Sequence, residues 1–443
     1  MHNDSFAHFQ ALVHWLSESI DGPAHFTFGY NAEASDFIRF NHAQVRQAGH
    51  VTQIQVDLKL IDNGRQATMH LALSGHLGVD RQRLADALRS LQATLPLLPA
   101  DPYLQINSGD WQSHVVLEQP LPDANAVVRQ ICAAAGSLDL VGIYAAGPIS
   151  RGFANSHGAV GWHQANSFNL DWSLFHANGE AVKANYAGQR WQQAAFEARL
   201  DAARQQLQHL TTPLKTLQPG RYRAYLAPAA MDELVGMLSW GGFSAQAIAS
   251  KNSPLQRLYE GDQHLNGLVS LSEQVSGSLS PSFSEEGYLR DDLVLIRQGR
   301  AGERLIDSRS ASEYGLQCNG AGGGEYPSAL EMAAGELRQQ DILQQLGTGL
   351  YISNLWYLNY SDLPAARLTG LTRFATFWVE DGRIQAPVST MRFDDSLYSL
   401  LGDQLEALTA EREMILSTST YSERRTSSSH LPGALIKAIT LTL

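Results

Sequence analysis

Two alternating stretches joined by an Asn-Gly pair constrain the fold of this chain more than any other feature. Hydrophobic residues alternate with polar ones at Ile54, Val56, Leu58 and Leu60, and again at Ala67, Met69, Leu71 and Leu73. Alternation with a period of two predicts strands that are buried on one face. Asn63-Gly64 is the typical two-residue turn between antiparallel strands. The sequence therefore predicts a β-hairpin over these residues.

Helical spacing occurs on both sides of the hairpin. Apolar residues lie three or four positions apart at Phe6, Phe9, Val13, Leu16 and Ile20, and again at Leu84, Leu88, Leu91 and Leu95. This spacing predicts two amphipathic helices, the first ending at Asp21-Gly22-Pro23 and the second capped by Asp80. Between the first helix and the hairpin, residues 25–30 and 37–40 are typical of short strands.

The same order of elements recurs further along the chain. A helix is predicted near Ala124 to Ala135, several strands from Val141 to Asn185, and a long helix from Arg190 to Leu210. This repetition favours a duplicated α+β unit over alternating βαβ units.

The segment from Thr211 to Gly220 is the predicted boundary between two domains, because it contains Pro213, Pro219 and a glycine. We therefore assign residues 1–215 to an N-terminal α+β domain and residues 220–443 to a C-terminal domain.

The C-terminal domain is predicted to be β-rich. A strand at 221–227 and a helix from Pro228 to Trp240 open it, many short strand patterns follow, and one more helix is predicted near Leu397 to Glu413. We expect a curled sheet or a sandwich.

Charge and composition argue against several classes of function. The chain has 44 acidic and 32 basic residues, and its net charge of -12 opposes general binding to nucleic acid or to an anionic membrane. The basic stretches at 297–309 and Arg424-Arg425 are interrupted by acidic and serine residues, so we expect them to be solvated.

Cys132 and Cys318 lack a Cys-x-x-Cys spacing, which argues against disulfides and thiolate clusters. Without an export signal or a membrane-spanning run, we expect a soluble, cytoplasmic protein.

The predicted helix from Pro228 to Trp240 carries the frame of a zinc-peptidase motif. The pattern H-E-x-x-x-H uses two histidines to hold the metal and a glutamate to activate water. Here Asp232 and Met237 occupy the histidine positions, and only Glu233 remains. Because an Asp/Met pair is a poor zinc site, we interpret the segment as a structural helix without a metal.

The other candidate motifs do not by themselves indicate a catalytic or phosphate-binding site. The glycine-rich run from Asn319 to Gly324 lacks the Gly-Lys-Ser/Thr ending of a phosphate loop, so it predicts a turn, or a place where a peptide backbone approaches closely. None of Ser156, Ser389 and the run 427–429 lies in a Gly-x-Ser-x-Gly elbow, and the serine run predicts a loop. Cys318 has no adjacent basic residue, which favours an inert thiol.

Several stretches taken together resemble the TldD/PmbA family, once described as modulators of DNA gyrase and now regarded as related to metallopeptidases. They are 141–147 (VGIYAAG), 154–158 (ANSHG), 226–228 (LAP) before the altered motif, 349–352 (GLYI), 368–374 (LTGLTRF), 378–384 (WVEDGRI) and 386–388 (APV). The last three are similar to the strand pair around the family's E-N-G-x-I-x-x-P-V signature. The resemblance covers nearly the whole chain and is most specific from Val141 onward.

This resemblance implies a protein without its own zinc site. In the catalytic branch of the family, two histidines of the H-E-x-x-x-H helix and a cysteine near the C-terminus hold zinc, with the glutamate as general base. The matching positions here are Asp232, Met237 and Glu233, and the segment from Glu411 to Leu443 contains no cysteine. The resemblance therefore points to the PmbA/TldE-like branch, whose members are partners of a TldD-like subunit in a peptidase that acts on unfolded or extended peptides.

Three functions remain open from the sequence. The first is the non-catalytic subunit of a TldD/TldE-type zinc metallopeptidase, with zinc in the TldD-like partner. The second is a homodimeric peptide-binding or scaffold protein without peptidase activity. The third is a hydrolase with an unconventional site in which Glu233 acts as the base.

Overall fold

The structure is a computed structural model that describes residues 2–20, 22–117 and 119–443. Up to residue 209 its elements are α1 (His2–Ser19), β1 (His25–Asn41), β2 (Gln44–Asp62), β3 (Arg65–Leu73), α2 (Leu77–Thr94), β4 (Gln112–Leu117), α3 (Ala124–Ala135), β5 (Asp139–Asn155), β6 (Val160–Phe175), β7 (Ala181–Gly188) and α4 (Gln193–His209). The order helix, three strands, helix occurs twice, with β4 between the two copies. The predicted duplicated α+β unit is therefore confirmed.

The two copies share one sheet. Its order is β3-β2-β1-β5-β6, and β7 and β4 both pair with the outer edge of β6. The copies meet where β1 and β5 run antiparallel, with Tyr30 opposite Gly152. Helices α1 and α2 pack on the strands of the first copy, and α3 and α4 pack on those of the second. Each copy thus covers the apolar face of its own strands with its own helices.

The predicted hairpin is confirmed by β2 and β3, which pair antiparallel up to Asp62 and Arg65. Asn63 and Gly64 have φ angles of 49° and 69°, as a type I′ turn requires at both central positions. Leu58 is fully buried, as are its apolar neighbours two positions away on either side.

Two local predictions in this half are wrong. The runs at 25–30 and 37–40 belong to one long strand, because β1 pairs along its whole length with β2. Asp80 does not cap α2, which begins at Leu77. Its buried carboxylate instead accepts hydrogen bonds of 2.8 Å from the backbone amides of Ser74 and Gly75 before the helix. The predicted end of α1 includes Asp21, which lies outside the described residues.

The second half of the chain is mostly strands and short helices. In order they are β8 (Gly220–Leu226), α5 (Pro228–Gly236), α6 (Ala245–Ala249), α7 (Gln256–Tyr259), β9 (Leu271–Glu273), β10 (Leu293–Arg297), β11 (Arg300–Ala301), α8 (Ser308–Tyr314), β12 (Ala329–Met332), α9 (Ile342–Leu346), β13 (Gly349–Asp362), β14 (Arg367–Glu380), β15 (Arg383–Pro387), β16 (Arg392–Ser396), β17 (Leu405–Leu416) and β18 (Ser428–Leu441).

These strands form a sheet that closes on itself. The pairing runs from β8 to β13, β14 and β16, then to β18, and β18 pairs again with β8. The strands β9 to β12 continue the sheet from β18, while β15 pairs with β14 and β17 with β18. The predicted curled, β-rich architecture is confirmed.

The helix predicted near Leu397 to Glu413 is wrong. Within that range only residues 397–403 are helical. They end in a π-type turn at Ser399–Asp403, inside which Gly402 has non-helical angles. The chain then enters β17, which pairs antiparallel with β18. Leucines three or four positions apart, such as Leu397, Leu401 and Leu405, all reach the C-terminal core without forming a continuous helix.

The two sheets pack against each other through shared contacts. Ala375 and Phe377 of β14 belong to the apolar core formed by α3, α4 and the strands of the second copy. Arg424, between β17 and β18, is 4% exposed and donates hydrogen bonds to the N-terminal sheet. The prediction that Arg424 is solvated is therefore wrong, whereas its neighbour Arg425 is exposed.

Across the described residues, no helix has the length and apolar character needed to cross a membrane.

Candidate functional site

Helix α5 presents one face to the core and one to a cavity. Pro228 occupies its first turn, where a missing amide hydrogen costs nothing. Met231, Leu234 and Val235 are fully buried against β13 and β18. The other side of the helix lines the cavity with Asp232 and Glu233 and, one turn later, with Gly236. The amphipathic spacing of the helix thus places both carboxylates on the side that borders the cavity.

The three positions of the altered motif are not brought together. Asp232 and Glu233 line the cavity, whereas the Met237 side chain is 5% exposed and packs in the C-terminal core. The α-helix ends at Gly236, and Met237 begins a 3₁₀ turn whose first carbonyl accepts a 2.9 Å hydrogen bond from the Tyr360 hydroxyl. Met237 is therefore a core residue.

The cavity is large and lies between the two halves of the chain. Its volume is about 1310 Å³, and its walls come from β7, α4, α5, β13, β17 and the start of β18. Helix α4 contributes Ala195, Ala198 and Ala202, whose small side chains leave room beside the helix. Trp356 and Tyr326 line the cavity and are 53% and 55% exposed. A ligand of several residues fits such a space.

Two strand edges border the cavity. β8 pairs with β13 only through Leu350–Ile352, so the following residues of β13 have no strand partner on that side among the described residues. β17 pairs with β18 on one side, and on the other side an isolated bridge joins Thr409 to Leu337. Beyond that bridge, residues 411–415 have no strand partner on their outer side within the described chain. Unpaired strand edges offer main-chain donors and acceptors to an extended peptide.

Burial raises the pKa of both carboxyls on α5. Asp232 is largely enclosed, and its Oδ1 accepts a 2.5 Å hydrogen bond from the Ser429 hydroxyl, which only partly offsets the effect of burial on the pKa. Glu233 faces the cavity space, but the surrounding walls desolvate it and the neighbouring Asp232 charge adds to the rise in its pKa. Lys183 acts in the opposite direction on Glu233.

A second polar group lies further along the cavity. Tyr225 and Tyr351 line it, with ring centroids 5.3 Å apart. Burial raises the pKa of Tyr351 to about 12 and that of Tyr225 well above its usual value, and the nearby Glu413 raises both. Both hydroxyls therefore stay protonated and can donate hydrogen bonds at neutral pH.

The residues of this chain do not fit a catalytic zinc ion. In residues 2–20, 22–117 and 119–443, no three His, Cys, Asp or Glu side chains are grouped closely enough to hold a metal. Asp232 and Glu233 offer only oxygen atoms, whereas catalytic zinc sites use three protein ligands that are mostly nitrogen or sulfur. Burial also raises the pKa of the Cys318 thiol to about 11, which disfavours the thiolate that a metal or a nucleophile needs.

Of two loop predictions, that for the serine run is wrong, whereas the glycine-rich run contains the predicted turn, closed by a 2.9 Å hydrogen bond from the Glu325 amide to the Gly322 carbonyl. Ser428 and Ser429 are not in a loop, because they begin β18, which brings the Ser429 hydroxyl to Asp232. The glycine-rich run is packed against the chain itself. A side chain at Gly320 would meet the Leu289 carbonyl, and the Gly323 amide donates a 2.7 Å hydrogen bond to Glu285.

Several cavity residues have no signal in the sequence. Lys183, Arg199 and Glu413 come from β7, α4 and β17, which are far apart in the chain. Ser429 lies in a run of serines that is typical of a loop. Tyr225, Ala227 and Pro228, by contrast, stand just before the altered motif, in the apolar run that leads into α5.

Comparison with known proteins relates this arrangement to a family. The sequence profile described as PmbA/TldA metallopeptidase C-terminal domain matches residues 219–443. Metalloprotease PmbA of Escherichia coli O157:H7 is 26% identical over 255 residues, which are 55% of this chain and 54% of that protein. A Metalloprotease PmbA homolog of Haemophilus influenzae is 27% identical over 149 residues, 33% of this chain and 32% of that protein. The chain thus matches about half the length of the first relative and a third of the second.

Solved structures share the whole fold. TldE from Thermococcus kodakarensis aligns over 98% of this chain and 100% of that one, with a TM-score of 0.77 and 14% identity. A protein described as a modulator of a DNA gyrase from Thermotoga maritima aligns over 98% and 99%, with a TM-score of 0.73 and 14% identity. The solved structures show a shared fold, and the family match over residues 219–443, about half of the chain, shows that this chain belongs to the PmbA/TldD family of metallopeptidase-related proteins.

Proposed function

We propose that this chain is the non-catalytic, TldE/PmbA-like subunit of a cytoplasmic zinc metallopeptidase that degrades unfolded or extended peptides. The observation that carries the proposal is the position of α5. The helix that would hold zinc borders a large cavity, but it presents Asp232 and Glu233 there and turns Met237 into the core. The described residues therefore offer a place for a substrate and no set of ligands that fits a catalytic metal.

The walls of the cavity support a role in holding peptides. The free edges of β13 and β17 can bind an extended main chain through backbone hydrogen bonds, which depend little on sequence and require an unfolded substrate. Exposed aromatic side chains such as Trp356 offer apolar contact for peptide side chains.

In this proposal the catalytic groups belong to a partner subunit. A TldD-like chain with an intact H-E-x-x-x-H helix and a downstream cysteine would supply the zinc, the activated water and the general base. This chain would position the peptide and keep it extended. The free thiols Cys132 and Cys318 are compatible with a reducing compartment.

A combined metal and activity measurement tests this proposal. The chain is purified alone and together with the TldD-like protein of the same organism, zinc is measured by mass spectrometry, and hydrolysis of an unfolded protein is followed. We expect no stoichiometric zinc in this chain and hydrolysis only with the partner. Replacing the motif glutamate of the partner by glutamine should abolish hydrolysis. A tightly held zinc in this chain would refute the proposal, and so would hydrolysis by this chain alone that Glu233→Gln removes.

The alternative is a homodimeric peptide-binding protein without peptidase activity. It is favoured by one observation: the cavity and both free strand edges lie within a single chain. A genome without a TldD-like reading frame, together with a dimer of this chain that binds peptides, would support the alternative.

A further inference from the structure

We propose that the Asp232 and Glu233 side of the cavity is a subsite for a cationic group of the bound peptide, either an ammonium or a guanidinium group. This inference rests on the proposed function, because it takes the cavity to hold an extended peptide. It adds a chemical preference at one place along that peptide.

Glu233 is a carboxylate without a partner. It lines the cavity and has no hydrogen bond or ion pair with any described residue. The Oδ1 atom of the neighbouring Asp232 accepts a hydrogen bond from the Ser429 hydroxyl. The other carboxylate oxygen of Asp232 accepts no hydrogen bond within the described chain. Asp232 is partly buried and Glu233 is exposed to the cavity, and the two adjacent carboxylates have only one neutral donor between them. Such a pair gains from an incoming cation.

The cationic side chains of the cavity wall form no ion pair with Asp232 or Glu233. Each lysine or arginine in the described lining is already paired: Lys183 with Asp171 at 2.9 Å, Arg412 with Glu331 at 2.9 Å and Arg199 with Glu413 at 3.7 Å. His209 also lines the cavity, and burial lowers its pKa, so it is neutral at neutral pH. Lys183 acts on Glu233 through its charge without forming an ion pair, so the negative charge at α5 is only partly offset within the described chain and is open to a cationic ligand.

A largely buried tyrosine that lines the same cavity independently points to a ligand. Tyr225 is 3% exposed and lines the cavity, and its hydroxyl has no hydrogen-bond partner among the described residues. A protonated phenol in this position needs an acceptor, and a peptide carbonyl would supply one. The cavity thus has an unused donor at Tyr225 and unused acceptors at α5, as expected of a wall that binds a main chain and a cation.

The surface of α5 leaves room for such a group. Gly236 lies one turn after Asp232 and Glu233 on the same face of the helix and lines the cavity. A Cβ atom added at Gly236 would meet nothing within 4 Å. A long basic side chain can therefore lie along the helix with its charged end at the carboxylates.

Peptide binding to the full chain tests the inference. The probe is a short unstructured peptide of Gly, Ser and Ala with one central Lys and a fluorophore at its C-terminus, and binding is measured by fluorescence anisotropy. In one version norleucine replaces the Lys, and in another the N-terminus is acetylated. The variant is Asp232→Asn with Glu233→Gln, which keeps shape and the acceptor for Ser429. The control is Glu313→Gln, an exposed residue of α8 that does not line the cavity.

The arms of the experiment distinguish the source of the cation. We expect the wild type to lose affinity by about tenfold or more with one of the altered peptides, norleucine if the site takes a side chain and acetylation if it takes the amino terminus. The double variant should bind all versions with similar weak affinity, and Glu313→Gln should behave as the wild type. Equal wild-type affinity for all versions would overturn the subsite and leave the proposed function standing. Absence of any peptide binding would overturn both.

Discussion

Replacing Arg424 with alanine tests the contact that joins the C-terminal segment to the N-terminal sheet. The Arg424 guanidinium donates hydrogen bonds of 3.2 Å to the Ser35 hydroxyl and to the Gly147 carbonyl. It also donates to the carbonyl and the hydroxyl of Ser167, at 3.0 and 2.8 Å. These acceptors belong to β1, β5 and β6, so one side chain binds three neighbouring strands.

The expected loss follows from burial. Arg424 is 4% exposed, and burial lowers its pKa to about 10, so holding the charge already costs free energy that the attraction of Glu33 partly offsets. Removing the side chain leaves Glu33, 5% exposed, with less compensating charge. It also leaves the buried carbonyls of Gly147 and Ser167 without these donors, at about 1–3 kcal/mol for each group that stays unsatisfied. We expect Arg424→Ala to reduce the free energy of unfolding by about 3–5 kcal/mol.

The neighbouring residue provides a matched control. Arg425 lies next in the chain, its side chain is 54% exposed, and it pairs with Glu423 at 3.5 Å. Arg425→Ala should change the free energy of unfolding by less than about 1 kcal/mol. Urea unfolding is followed by tryptophan fluorescence, with each transition fitted separately because a chain of this size need not unfold in two states. Equal midpoints for the two variants would refute the reasoning.

Two further predictions concern pH and the cavity. His163 is 3% exposed, and burial lowers its pKa to about 4 from 6.5. Because the unfolded chain binds the proton more readily, stability should fall as the pH drops from 6.5 towards 4, by up to about 3 kcal/mol, and urea unfolding of His163→Gln should lack this part of the dependence. Ala202→Trp should fill space beside α4 and weaken peptide binding measured by anisotropy, whereas Gln208→Trp, outside the cavity lining, should not. Equal affinities for both variants would contradict the assigned peptide path.

The N-terminal half could be predicted well because its signals are local. Alternation at residues 54–60 and 67–73, the Asn63-Gly64 turn and the helical spacing of leucines each depend on neighbours within a few positions. The order of these elements, repeated once, was enough to indicate the duplicated α+β unit. Boundaries were less accurate, since β1 is one strand where two were expected.

The candidate site could be predicted only in part. The sequence located α5 and showed that Asp232 and Met237 replace histidines, but it could not show that Met237 packs in the core. The cavity depends on α4 and β17, which long-range packing brings to α5. Arg424 is buried by residues more than 250 positions away, and its local sequence is that of a solvated loop. The leucines after Leu397 have helical spacing, yet pairing of β17 with β18 overrides that preference.

The closed ring of strands has a consequence for synthesis on the ribosome. β8 cannot complete its pairing until residues 434–441 of β18 have been made, although β8 itself ends at Leu226. A nascent chain that has emerged only as far as β17 therefore keeps an unpaired edge on β8. Strand edges of this kind are prone to association with other chains, and contacts so distant in sequence form slowly. Folding of this half should accordingly be completed late in translation, and chaperones that shield exposed strands should matter most just before β18 emerges.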